Sequence, residues 1–213
     1  MTGKIKLVHS GGNAVSIAVP TSNPSSSEVE FKLPQADGTS GQALVTDASG
    51  NLSFAGTGKI LQVVSTTRTD TFSENVATGS LSADALTVNI TPSNANNKIF
   101  LTAHVSMGLN NDNEVNWVFY KAGSLLTGAA GTAAGNRKPR TSAGDVRWTG
   151  THNTTGGQYL DTAGGTSQIT YSVRLGHSAN GSKYVYMNQS HTDDNYAYDI
   201  RTQSTITVME VAA

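Results

Sequence analysis

The chain has 213 residues, with 14 Lys+Arg against 15 Asp+Glu, a net charge of −1 and no cysteine. Glycine, serine, threonine and asparagine supply 89 residues, and charged residues only 14%, against about 25% in an average soluble domain. This excludes a disulfide framework, a thiolate metal site and a cysteine nucleophile, and it argues against broad electrostatic binding of nucleic acid or acidic lipid. A helical bundle is disfavoured, because these four residue types compete with helix through turns and side-chain-to-backbone hydrogen bonds. Disorder is disfavoured too, because the 37% of hydrophobic residues fall into period-two runs.

In chain order, the opening Met1 to Val8 carries two lysines and then only Leu7-Val8. That is too short for the apolar region of a signal peptide. No window approaches the ~20 apolar residues of a membrane span. Synthesis in a cytoplasm without a signal-peptide route is the expectation. Leu7-Val8 and Val15 to Val19 are brief strand candidates around Ser10-Gly11-Gly12-Asn13, and a polar loop covers 21–27. Val29 to Leu33 alternates as a strand would and ends at Pro34. Ala43 to Thr46 and Asn51 to Phe54 read as a hairpin in which Gly50 takes the left-handed position. The chain divides near Ala55 to Gly58, which gives residues 1–57 as an N-terminal β stem and residues 58–213 as a second domain. The first has too few large apolar groups for its own core, so its strands are expected to bury their apolar faces against copies of themselves.

The second domain has stronger patterning. Strands are expected at Ile60 to Val64, Leu86 to Ile90, Ile99 to Met107, Val115 to Tyr120, Gln168 to Leu175, Tyr184 to Met187 and Thr205 to Val211. Each puts aliphatic groups on one face and Thr, Ser or Gln on the other. Antiparallel sheets with one covered face give that pattern. Eight to ten strands are expected, in a jelly-roll-like antiparallel β-sandwich, so the fold class is all-β. Lys121 to Gln158 reads as a long loop holding one strand at Asp145 to Thr149, with a basic cluster at Arg137, Lys138 and Arg140.

No catalytic set emerges. The five histidines are all more than five residues apart, so no helical zinc pair exists. Gly56-Thr57-Gly58-Lys59 lacks the upstream glycine of a phosphate loop and runs into a strand. No Gly-x-Ser-x-Gly elbow occurs. His191 precedes Asp193, Asp194 and Asn195, an oxygen-rich turn that raises calcium as one reading. Its spacing does not match the helix-loop-helix calcium motif, and no metal or cofactor is expected. Arg137, Lys138 and Arg140 read as a solvated surface, with phosphate or an acidic glycan as the alternative. Tyr184 and Tyr186 share one strand face, and Tyr196 and Tyr198 flank Ala197. Such amphipathic rings suit interfaces and sugar recognition as well as sheet packing.

Two stretches carry a resemblance. Phe31 to Phe54, FKLPQADGTSGQALVTDASGNLSF, resembles a module of bacteriophage fibres common in marine and cyanobacterial phages. The opening GKILQVV from Gly58 and the ending STITVMEV from Ser204 resemble the first and last strands of a C-terminal domain of phage tail-fibre-like virion proteins. The Asp193-Asp194 turn with Tyr196 is similar to that domain's penultimate region. The resemblance implies a homotrimeric, non-enzymatic virion appendage assembled in the host cytoplasm. Residues 1–57 would contact other virion proteins, and the C-terminal head would adhere to the host surface. Trp148, His152, Asp193, Asp194, Tyr196 and Tyr198 are the candidate contacts for a host-surface glycan. A capsid-decoration or head-fibre protein is the alternative. A free lectin-like module and an unrecognised depolymerase are the more remote readings.

Overall fold

A computed structural model describes residues 4–18, 20, 22, 24, 28–39, 42–56, 59–148, 150–197 and 199–213. Val19, most of the 21–27 loop, the Thr57-Gly58 link, Thr149 and Tyr198 therefore lie outside the described residues. The chain forms two compact units, Met1–Thr57 and Gly58–Ala213.

The first unit contains two antiparallel hairpins. Strand β1 (Lys4–Val8) pairs with β2 (Ala14–Ala18), and β3 (Gln42–Thr46) pairs with β4 (Leu52–Gly56). The second hairpin has a reason in its turn. The Asp47 carboxylate accepts hydrogen bonds from Ser49 N (2.8 Å), Asn51 N (3.1 Å) and Asn51 Nδ2 (2.6 Å). Gly50 has φ +87°, and a Cβ there would collide with the Glu30 carbonyl. The expected strand at Val29 to Leu33 is reduced to a single parallel bridge, Lys32 to Asn51. Pro34 follows it, and proline has no backbone N–H to carry the ladder on. Among the described residues of this unit none is buried. Ile5, Leu7, Ile17, Val29, Phe31 and Leu33 are each more than half exposed.

The second unit is a β-sandwich. Its strands are β5 (Ile60–Arg68), β6 (Phe72–Val76), β7 (Leu86–Ile90), β8 (Lys98–Leu109), β9 (Asn113–Lys121), β10 (Ser124–Leu125), β11 (Ser142–Val146), β12 (His152–Thr162), β13 (Ile169–His177), β14 (Lys183–Met187) and β15 (Ser204–Val211). All pair antiparallel. One sheet runs β5-β15-β8-β12, and β14 with β6 continues it along β8 where β15 stops. The other runs β7-β13-β9, with β10 and β11 sharing the far edge of β9. The chain passes between sheets from β7 to β8 to β9, and from β11 to β12 to β13, as in a jelly roll.

The inward faces follow the expected alternation. Ile99, Leu101, Ala103, Val105 and Met107 of β8 are buried against Trp117 and Phe119 of β9, Val173 and Leu175 of β13, and Val208 of β15. The Trp117 and Phe119 rings meet edge-on, 5.0 Å between centroids, a favoured aromatic geometry. Trp117 Nε1 donates to Thr155 Oγ1 on the opposite sheet at 2.8 Å, so its polar atom is satisfied.

The region from Lys121 to Gln158 is not one long loop. It holds β10, a 3-10 turn at Thr127–Ala129, β11 and much of β12. Strand β12 hides in His152-Asn153-Thr154-Thr155-Gly156-Gly157, whose glycines read as loop. The structure gives Gly157 a packing reason: a Cβ there would lie 2.7 Å from Trp117 Cη2. The expected strand at Asp145 to Thr149 shifts upstream to Ser142–Val146.

Glu210 is the one fully buried carboxylate among the described residues. It accepts from Gln62 Nε2 (2.6 Å), Ser93 N (2.7 Å), Ser93 Oγ (2.8 Å) and Asn97 Nδ2 (2.6 Å). Burial pushes its pKa up, but the hydrogen bonds from Asn97, Gln62 and Ser93 outweigh it and hold the carboxyl at about 2. The side chain thereby ties the last strand to β5 and to the loop between β7 and β8.

Candidate functional site

The two sheets differ on their outward sides. The outward side of β9 and β13 is covered by the chain itself. Ser82 N donates to Leu175 O at 2.8 Å, and Arg174 Nε reaches Asp84 Oδ1 at 2.6 Å. Arg140 Nε donates to Asn116 Oδ1 at 2.6 Å. Beneath these straps Asn116, Val118 and Ser172 are buried, although each alternates with the core side of its strand. Alternation along β9 sets Asn116 and Val118 on the side opposite Trp117 and Phe119, and both sides of the strand are buried.

The outward side of β5-β15-β8-β12 has no such cover among the described residues of its unit. Strand register sets Val63, Met209, Phe100 and Leu160 in one row across all four strands. Val63 is 56% exposed and Leu160 53%. The next row is Ser65, Thr207, Thr102 and Gln158, and the one after it Thr67, Thr205, His104 and Gly156. Ser65 and Thr207 share a hydrogen bond at 2.8 Å, and Thr67 and Thr205 one at 2.9 Å. Among the described residues this face carries Lys98, His104 and His152 but no carboxylate. A face with an apolar row and hydroxyl rows suits packing against another surface. Two breaks in alternation could have located it: apolar residues on both faces at Ile60 to Val64, and Phe100 among threonines.

The described contact candidates fall on two loops and on the first residue of β12. Trp148 follows β11 and is 72% exposed. Its carbonyl accepts from Thr151 N at 2.8 Å and Thr151 Oγ1 at 2.7 Å. His152 begins β12 opposite Gly108. It is half-buried, and burial holds its imidazole below the usual pKa. Asp193, Asp194 and Tyr196 lie between β14 and β15. A Cβ at Gly150 would sit 3.4 Å from Thr192 Oγ1, so the Trp148 turn lies beside this second loop.

Asp193 has both oxygens occupied. Arg201 Nε donates to Oδ1 at 3.0 Å and Nη2 to Oδ2 at 2.7 Å, and this fork holds the carboxyl below its usual pKa. Asp194 and Tyr196 are exposed, with Tyr196 N donating to Asp194 O at 2.8 Å. Tyr198 lies outside the described residues. Among the described residues no group of three or more His, Asp or Glu is placed to hold a metal ion. Tyr184 and Tyr186 stack at 6.3 Å, and Tyr186 is buried with its hydroxyl 2.8 Å from His191 Nδ1. No helix among the described residues is long and apolar enough to cross a membrane.

No family model and no curated protein matches the chain. Among solved structures it is similar to proteins of infectious bursal disease virus. The VP2 subviral particle is 12% identical, over 80% of this chain and 42% of that one, with a TM-score of 0.35. The Gt strain structure is 16% identical, over 95% and 48%, with a TM-score of 0.35. The Gx strain structure is 17% identical, over 80% and 41%, with a TM-score of 0.35. The chain spans less than half the length of each of these proteins.

Proposed function

We propose that this is a non-enzymatic virion structural protein, a homotrimer acting as a short phage tail fibre. One observation carries the reading: residues 1–57 form ordered hairpins, yet none of their described side chains is buried. Isolated hairpins are marginal in water, so this unit needs apolar cover from other chains. Copies of itself around a threefold axis supply it, and neighbouring virion proteins extend it. The fibre-like run from Phe31 to Phe54 supports the same assignment. The uncovered face of β5-β15-β8-β12 supports self-association of the heads. The loops bearing Trp148, His152, Asp193, Asp194 and Tyr196 then serve as host-surface contacts, where three copies raise weak glycan binding to useful avidity.

Mass measurement of the intact chain in solution tests the assembly. The expected mass is three times 22.2 kDa. A monomer overturns the trimer. Labelling of the protein on intact particles tests the location, with label at the tail expected. Label over the capsid shell replaces the tail fibre with a decoration or head-fibre protein.

A further inference from the structure

A pocket of about 510 Å³ opens beside the β9-β13 sheet of the sandwich domain. It lies between Thr78-Gly79 after β6, the 136–140 segment, the start of β9 and the end of β13. Arg137, Lys138 and Arg140 line it, against one acid, Glu114. None of the three cations forms an ion pair among the described residues. Arg140 is fixed in place: besides Asn116, it donates to Pro139 O at 2.9 Å and to Gly79 O at 3.2 Å. Arg137 and Lys138 are exposed at the rim.

His177 also lines the pocket and is 1% exposed. Its Nε2 lies 2.7 Å from Val76 O. A carbonyl only accepts, so Nε2 carries the hydrogen, and in the neutral ring Nδ1 presents a lone pair. That Nδ1 is buried and has no hydrogen-bond partner among the described residues. Buried polar atoms are nearly always hydrogen-bonded, whether to protein, to ordered water or to a ligand. The site therefore makes two chemical demands. The cations call for an anion, and Nδ1 calls for a hydrogen-bond donor. An anion with no O–H, such as acetate, meets the first alone, and a neutral sugar meets the second alone.

We propose that the pocket binds a hydroxylated anion, a sugar unit carrying a carboxylate or a phosphate. The anionic group lies toward Arg137, Lys138 and Arg140, and a ring hydroxyl donates to His177 Nδ1. All the lining residues belong to one chain, so the site requires neither the trimer nor a virion.

The test is titration of the intact protein with glucuronate, glucose 6-phosphate, glucose and acetate. Binding is followed by calorimetry and by the ¹⁵N shift of His177 Nδ1. One or both of the first two ligands bind and move that shift, and the better one identifies the anion as carboxylate or phosphate. Glucose and acetate bind far more weakly. The Arg137→Ala/Lys138→Ala variant changes only rim residues and keeps the fold by circular dichroism. It weakens binding about tenfold or more, as expected for lost charge-assisted hydrogen bonds. Failure of both anionic sugars to bind overturns the proposal. So does acetate binding as tightly as glucuronate, an unmoved Nδ1 shift on binding, or unchanged affinity in the variant. These outcomes are independent of the solution mass, so loss of the trimer reading and loss of this site are separable.

Discussion

The two units are made from the same residue types and reach opposite solutions. The sandwich buries Trp117, Tyr171, Phe119 and Leu101 completely and closes its own core. The N-terminal unit keeps Phe31 64% and Leu33 78% exposed, although its hairpins carry regular ladders and a well-bonded turn. Local turn chemistry is therefore enough to set strand pairing, whereas burial needs two faces that meet. The sandwich has both faces within one chain. The N-terminal unit buries none of its described side chains by itself.

The most damaging change for this comparison falls in the sandwich core. Trp117→Ala removes the largest fully buried side chain, its edge contact with Phe119 and its bond to Thr155. The expected loss is about 3–5 kcal/mol, read as a lower urea midpoint. An unchanged midpoint would mean that the sandwich does not rest on this core.

Next in size is acid. The Glu210 carboxyl has its pKa lowered from 4.5 to about 2. A lowered folded-state pKa means that its contribution is fully present above the unfolded value. It is then lost as pH falls from there towards 2. The effect is on the order of 3 kcal/mol. Denaturation midpoints measured from pH 6 down to 2 should fall in that window. Glu210→Gln should be less stable at pH 6 and show a flatter acid slope. An equal slope in the variant would assign the acid sensitivity elsewhere.

Gly157→Ala is smaller and tests how β12 is built. The added methyl meets the Trp117 ring and Thr141 Cγ2, each at 2.7 Å. The expected cost is about 1–3 kcal/mol, with a changed Trp117 fluorescence. Stability equal to wild type would show that the ring can move aside.

The same glycine shows where sequence reading stops. The inward sets of β8, β13 and β15 were legible because one aliphatic face alternates with one polar face. So was the β3-β4 hairpin, whose Asp47 and Gly50 act locally. Strand β12 was not legible, because Gly157 answers to a tryptophan 40 residues earlier in the chain. Nor was the burial of Asn116, whose amide oxygen accepts from Arg140 of a different loop. Asp193 looked like a free oxygen ligand because Arg201 stands eight residues away along a loop. The pocket cations were visible as a cluster. His177, which gives them a partner chemistry, was not, because only the fold brings it beside them.

The last prediction has the smallest effect on the fold and the sharpest bearing on the comparison. Phe31→Ser and Leu33→Ser alter side chains that are already 64% and 78% exposed. Removing an apolar group that stays in water gains or loses little burial energy, so the unfolding free energy of the sandwich should stay within about 0.5 kcal/mol of wild type. The assembled form is different. If these groups are covered by other copies, each loses on the order of 1–3 kcal/mol per chain on substitution, and the loss acts three times in a trimer. Sedimentation of the double variant should therefore show dissociation at concentrations where the wild-type chain remains assembled. A double variant that keeps the wild-type mass would mean that the stem is covered by something other than copies of this chain. A double variant with a destabilised sandwich would mean that the two units do not fold independently.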